Sequence, residues 1–327
     1  MVSSGVNIII PVAGEGTRLR PHTHATPKSL LYVAGKPILG HILDGLRRLD
    51  VERFSVVLGS QGQAVVDFCN CYPFEFTFAL QEERLGLGHA VRLGAQGLEG
   101  ATLVLLGDTI TDVNYREFCS QRVNVLAVKE VSDPKHFGIV EVRGKSVIGL
   151  AEKPKHPRSN LAIVGLYYFQ DIAKVSAAVD YLVRNDIRTK NEYQLTDALK
   201  HMLENGEKFE TMKIEQWHDC GTAEALIATN RALLRKTKYY KKRPGNIIIG
   251  PVHIADSVQI TESIIGPHVS IDEGVIVKQS VIKDSIINRG ASVDSALLTE
   301  SIVGANACVK GGYKRLNVSE SSRIEIP

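Results

Sequence analysis

Over roughly the first 236 residues, runs of five to seven mostly β-branched apolar residues alternate with longer stretches in which apolar positions recur every three or four residues. The first kind predicts strands and the second amphipathic helices. Their alternation predicts an α/β domain with a mainly parallel sheet covered by helices. Strands are expected at residues 6–12, 54–58, 76–80 and 102–106, with helices between them at 37–49, 61–69 and 89–97. Three turns after strands are rich in glycine or acid: Ala13 to Gly16, Gly86 to Gly88, and Gly107 with Asp108. In open α/β sheets, ligands bind at such carboxyl-end turns.

Residues 123–169 read as several short strands broken at Asp133-Pro134, Arg143-Gly144 and Lys153-Pro154, an insertion expected to flank the crevice. Helical periodicity returns at 172–183 and 192–204, and a strand is expected at 208–215. Thr222 is placed to cap a helix running to about Leu234. The basic segment KTKYYKKRPG then closes on Pro-Gly and reads as a linker. Beyond it the spacing changes. Ile265, Ile271 and Val277 are six apart, as are Ile287 and Val293, and Val303 and Val309. Sixteen residues separate Ile249 from Ile265, and Ile271 from Ile287 and Ile287 from Val303. The phrases ESIIGPHVSI, DSIINRGASV and ESIVGANACV make the repeat visible. Such spacing predicts a short parallel β-helix, each coil burying its apolar positions by stacking on the next. Sixteen is not three sixes, so irregular coils are expected. The expected division is a catalytic domain over residues 1–236, a linker over 237–246 and a repeat tail over 247–327.

Composition narrows the partners. At 327 residues, with 44% hydrophobic and 23% charged side chains, the chain exceeds a single small binding module and has the make-up of a globular protein. Thirty-nine basic and 36 acidic residues leave a net charge of +3, which argues against nucleic acid as the partner. No apolar stretch reaches the ~18 to 20 residues that span a bilayer, and the run at 6–12 lacks a basic flank and a cleavage site. A cytoplasmic protein with no membrane partner is expected. The five cysteines are scattered without metal-ligand spacing, as reduced thiols would be.

The strongest chemical signal is the segment from Pro11 to Leu39. Gly14 and Gly16 leave backbone N–H groups open to phosphate oxygens, Thr17 adds a donor, and Arg18 and Lys28 add two positive charges. It is neither a P-loop nor a dinucleotide fingerprint, whose third glycine is replaced here by Leu19.

That segment fits GxGTRLxPxTxxxPKxL and resembles the sugar-phosphate nucleotidyltransferases. QEERLGLGHAV from Gln81, LLGDTI from Leu105, FGIVEV from Phe137, AEKP from Ala151, VGLYYF from Val164, NEYQLTDAL from Asn191 and WHDCGT from Trp217 follow in the family's order. With its tail, the chain is most similar to the long form of glucose-1-phosphate thymidylyltransferase. The resemblance implies a Rossmann-like mainly parallel sheet followed by a short left-handed β-helix. It also implies condensation of a nucleoside triphosphate with a sugar 1-phosphate, giving a nucleotide sugar and pyrophosphate.

Site roles follow from the same resemblance. Asp108 and Asp219 would hold Mg²⁺, Arg18 the β and γ phosphates, Lys28 the α-phosphate and Lys153 the sugar phosphate. Ala13, Gly14, Gly16, Thr17, Gln81 and Gly86 would bind the nucleotide; Gly138, Glu152, Val164, Glu192 and Trp217 would line the sugar pocket. Thr109 stands where such thymidylyltransferases commonly have Asn, and Gly86 to Val91 also resembles uridylyltransferases, so dTTP and UTP both stay open. Two further functions are weighed beside these: a silent regulatory subunit, and a bifunctional acyltransferase using His253 or His268. The tail is expected to pack subunits into a homo-oligomer.

Overall fold

A computed structural model describes residues 5–237 and 241–311. It divides into two compact units. The first ends at Leu226; the second takes Tyr32–Gly35 and resumes at Ile227, within the helix Ala223–Leu234. Residues 238–240 of the expected linker and 312–327 of the expected tail lie outside the described residues.

The first unit is built on a nine-stranded sheet in the order Phe76–Leu80, Val51–Leu58, Val6–Pro11, Thr102–Leu105, Leu161–Phe169, Asn124–Glu130, Phe209–Lys213, Ser146–Glu152 and Gly138–Arg143. Ile8, Ile9 and Ile10 are wholly buried, which is why this strand reads as a continuous apolar run rather than an alternation. The first four strands are parallel, joined through the helices Ile38–Leu46, Gly62–Cys69 and Leu87–Gly94.

Beyond Thr102–Leu105 the sheet becomes mixed: Leu161–Phe169 runs antiparallel to both of its main neighbours, whereas Asn124–Glu130 and Phe209–Lys213 pair parallel. Residues 123–169 are no insertion. Asn124–Glu130 and Leu161–Phe169 are interior strands, the latter buried over all nine residues. Only Gly138–Arg143 and Ser146–Glu152 form an edge hairpin. Its turn, Gly144 with Lys145, is too short for a parallel crossover and takes positive φ at the glycine. Helix bounds shift by a few residues. The third crossover helix starts at Leu87, because Gly86 at φ 106° turns the chain there. The helix expected from Glu192 begins at Leu195, leaving Glu192 in the preceding turn. Thr222 caps as expected, its Oγ1 accepting from the Ala225 N–H at 3.2 Å.

Outside the main sheet, Thr109–Thr111 pairs antiparallel with Trp217–Asp219, setting Thr109 opposite Asp219. This ribbon joins two motifs more than a hundred residues apart.

In the second unit, twelve short strands fall into three four-stranded sheets, and successive strands visit the three in rotation. All pairings are parallel, with Ile265, Ile271, Val277, Ile282 and Ile287 wholly buried inside. The irregular coils are real, but the first step is corrected. Ile265 pairs with Ile248, not Ile249; Ile282 follows, then Leu298, so coils of seventeen residues give way to sixteen. Gly266-Pro267-His268 occupies the corner of one longer coil where Lys283-Asp284 occupies the next. Among the described residues no helix is long and apolar enough to cross a membrane.

Candidate active site

Where Val6–Pro11 ends, the chain turns through Gly16, at φ 62°, into the short 3-10 turn Thr17–Leu19. A Cβ on Gly16 would come within 3.0 Å of the Thr23 methyl and 3.1 Å of Lys28 Cβ, so both space and conformation demand glycine. Thr23 locks the turn by donating to the Gly16 carbonyl at 2.8 Å. Gly14 differs, since a Cβ there would meet no atom within 4 Å. Its bareness opens space instead of relieving packing. Leu19 is buried and anchors the turn to the core.

Asp108 lies three residues beyond Thr102–Leu105, and the Cys220 N–H donates to its carbonyl at 3.0 Å, tying it to the Trp217–Asp219 strand. Lys28 Nζ forms an ion pair with Asp108 Oδ2, and Thr109 Oγ1 donates to Oδ1 at 3.2 Å. A Cβ on Gly221 would meet Asp219 Oδ1 at 2.9 Å and Arg18 Nη2 at 3.0 Å, so Arg18 and Asp219 share the space over that glycine. Burial raises the pKa of Asp219; the Asp108 carboxylate adds to the rise, while Lys28 and Arg18 oppose it. Two neighbouring carboxylates fit Mg²⁺, a hard cation that takes few protein ligands together with phosphate oxygens and water. Among the described residues no larger acidic, His or Cys cluster offers a competing metal cage.

A cavity of about 420 Å³ opens beside this pair, lined by Ala13, Gly14, Gly16, Thr17, Lys28, Gln81, Gly86, Asp108 and Glu192. Nine residues named from the sequence are thus brought together. Gln81 is buried; its Nε2 donates to the Gly86 carbonyl at 3.1 Å and lies 3.1 Å from His89 Nδ1. Burial holds the pKa of His89 below its ordinary value. Glu15, Ser29 and Arg84 also line the cavity and were not singled out from the sequence, where an isolated charge or hydroxyl carries no positional signal.

A second polar cluster surrounds Glu152, whose side chain is only 7% exposed. Its Oε2 accepts from Thr196 Oγ1 at 2.7 Å and its Oε1 lies 3.2 Å from Lys153 Nζ. Lys153 takes a left-handed φ of 41°, a strained conformation for a side-chain-bearing residue. Gly138 faces the same group, since a Cβ there would come within 2.8 Å of Thr196 Oγ1. Tyr167 is buried, and its hydroxyl pKa is raised by burial, then by the charges of Glu152 and Asp108. Trp217 shares a strand face with Asp219 and meets Phe137 edge-on at 5.3 Å. Its indole Nε1 is buried with no acceptor among the described residues. Val164 is 1% exposed and backs the wall from inside the sheet rather than presenting open surface. Phe137 and Thr196 went unnoticed as individual residues, although FGIVEV and NEYQLTDAL contain them.

With this geometry in hand, a family model described as nucleotidyl transferase matches residues 7–236. The chain is 28% identical to a glucose-1-phosphate thymidylyltransferase of Streptomyces griseus, over 97% of this chain and 99% of the relative. It is 33% identical to the "Bifunctional protein GlmU" of Methanococcus maripaludis over 84% of this chain and 62% of that protein. Among solved structures, a Bacillus anthracis protein described as a glucose-1-phosphate thymidylyltransferase superposes with a TM-score of 0.63 at 27% identity, covering 72% of this chain and 98% of the other. The matched segment carries both the phosphate loop and the acidic pair, and the chain belongs to the nucleotidyl transferase family.

Proposed function

We propose that the chain joins a pyrimidine nucleoside triphosphate, dTTP in the first place, to glucose 1-phosphate, releasing pyrophosphate and a nucleotide sugar. The carrying observation is the single cavity in which the phosphate loop, Lys28 and Asp108 face Gln81 and Gly86. The attacking sugar-phosphate oxygen is already ionised, so the reaction needs alignment and charge neutralisation rather than a general base. That suits a site of Gly, Arg, Lys and Asp.

Within it, Gln81 Oε1 would accept from the pyrimidine N–H, with the Gly86 backbone beside it. Arg18 would hold the departing β and γ phosphates. Lys28 Nζ would transfer from Asp108 to the α-phosphate and keep it in line. Lys153 would grip the sugar phosphate, and Glu152, aimed by Thr196, would accept from sugar hydroxyls. Gly138, Val164 and Glu192 would complete the sugar pocket, and the unpartnered Trp217 Nε1 would donate to that substrate. Asp108 and Asp219 would hold Mg²⁺, which when bound neutralises charge across the phosphates. The division into 1–236, 237–246 and 247–327, a left-handed tail that packs subunits and a cytoplasmic location belong to the same proposal.

UTP is the second reading. Thr109 is buried and bonded to Asp108, so its departure from Asn lies on the acidic side of the site and leaves base choice to the Gln81 loop. Thymine and uracil differ by one methyl, a difference of only ~1 to 3 kcal/mol in a pocket. Acyl transfer is not part of the proposal. His268 is tied to Asp284 at 3.0 Å, and His253 packs against Gly35 and edge-on to Tyr32.

Pyrophosphate release with dTTP, UTP, ATP and GTP, each with several sugar 1-phosphates and Mg²⁺, tests the reading. Turnover is expected with a pyrimidine triphosphate, and Asp108→Ala should lower it by about a hundredfold or more without unfolding the chain. Turnover with purines alone would discard the role given to the Gln81 loop.

A further inference from the structure

Glu15 stands between the two glycines of the phosphate loop, where a carboxylate opposes the charge of a triphosphate. Two guanidinium groups hold it: Arg84 Nη1 pairs with Oε1, and Arg20 Nη2 lies 3.4 Å from Oε2. Glu15 and Arg84 line both the large cavity and an adjoining one of about 110 Å³. Arg84 belongs to the loop that carries Gln81 and Gly86. On one side that loop is fixed by backbone. The Gly88 N–H donates to the Tyr193 carbonyl at 2.8 Å, and the Tyr193 N–H to the Leu85 carbonyl at 2.7 Å. A Cβ on Gly86 or Gly88 would come within 2.8 Å of the Tyr193 oxygen, so the loop sits tight on that side. Toward the phosphate loop, the Glu15–Arg84 pair is the direct polar link among the described residues.

We infer that Glu15 and Arg84 are positioning residues whose ion pair clamps the base-side loop to the phosphate loop, setting the span between the two halves of the nucleotide site. This rests on the nucleotide reading above. A clamp acts by pre-organisation: with it closed, the Gln81–Gly86 edge and the phosphate-loop amides meet base and phosphates without first ordering a loop. Both side chains are partly exposed, 45% for Arg84 and 37% for Glu15. The effect is therefore modest, since exposed pairs change an equilibrium by up to about fivefold.

The sign of one substitution separates a clamp from a simple field effect. Through the field alone, Glu15→Gln removes a negative charge beside a polyphosphate and lowers the KM for it. Through the clamp, the same change raises it. The test is steady-state kinetics of the full chain with dTTP and with UTP, each against glucose 1-phosphate and Mg²⁺, for Glu15→Gln, Arg84→Gln and the double variant. Each single change should raise the triphosphate KM by about three- to fivefold. The glucose 1-phosphate KM should stay within about twofold, and the double variant should be no worse than Arg84→Gln, because the pair acts as one unit. A Glu15→Gln KM that falls or stays level overturns the clamp, as do additive effects in the double variant. Absence of turnover by the unsubstituted chain with every triphosphate overturns the nucleotide reading and the clamp with it, whereas turnover with unchanged KM values overturns the clamp alone.

Discussion

Asp197, beside Thr196 on the helix Leu195–Glu204, illustrates how one side chain works against stability. Its Oδ2 is buried with no partner among the described residues, and its pKa is raised by burial, with a hydrogen bond from Thr189 opposing the rise and the charge of Glu152 adding to it. A carboxyl whose folded pKa exceeds the unfolded value binds its proton more tightly in the native state. It costs nothing below the unfolded pKa, and the cost grows as pH rises through the folded one. Asp197→Asn should therefore unfold at a higher temperature than the native chain at pH 8, with the gap closing on acidification below the ordinary carboxyl range. Thermal unfolding across pH measures this, and a gap independent of pH would refute it. Asp197 stands inside NEYQLTDAL, yet nothing in that string announces a strained acid. The rise comes first from burial and then from Glu152, forty-five residues earlier in the chain. Arg18, Lys28 and Asp108 were legible because their motifs fix loop and charge together. Arg84 and Glu15 were not, because an ion pair between loops leaves no local spacing.

The coils of the tail owe their corners to an equally specific device. Glu262, Gln279, Asp284 and Glu300 all take left-handed φ between 45° and 48°, and each is followed by a serine. Of these, Ser263, Ser280 and Ser285 are buried, and their hydroxyls reach both ways. Ser280 Oγ donates to the Lys278 carbonyl at 2.6 Å and accepts from the Ala296 N–H of the next coil at 3.1 Å. Ser280→Ala would leave the buried Ala296 N–H without its acceptor, while the Lys278 carbonyl keeps the Ser295 N–H, a loss of about 1 to 3 kcal/mol. Denaturant unfolding should detect it, and a change under about 0.5 kcal/mol, the size of an ordinary surface substitution, would show that the hydroxyl is dispensable. The repeated Glu-Ser and Asp-Ser phrases pointed to this feature without disclosing its geometry. The apolar steps of six and sixteen foretold three faces, but five-residue steps such as Val277 to Ile282 hid the true register until the strands were paired.

On one face of the tail, Ile247, Ile264, Val281 and Leu297 form a registered outward ladder. Leu297 is 83% and Ile247 58% exposed. If the tail packs subunits as proposed, this aliphatic ladder suits a second copy of the chain, and Ile247→Glu with Leu297→Glu should lower the oligomer size measured by sedimentation velocity. An unchanged profile would remove this face as the subunit contact. The opening stretch of alternating strands and helices, the phosphate-loop motif and the repeat could all be read along the chain, because each depends on neighbours close in sequence. Sheet order, the interior position of Leu161–Phe169, the junction of Asp108 with Asp219 and the Glu15–Arg84 pair depend on segments far apart. Such pairings are chosen by which buried surfaces and ladders satisfy one another in space, and no local spacing records that choice.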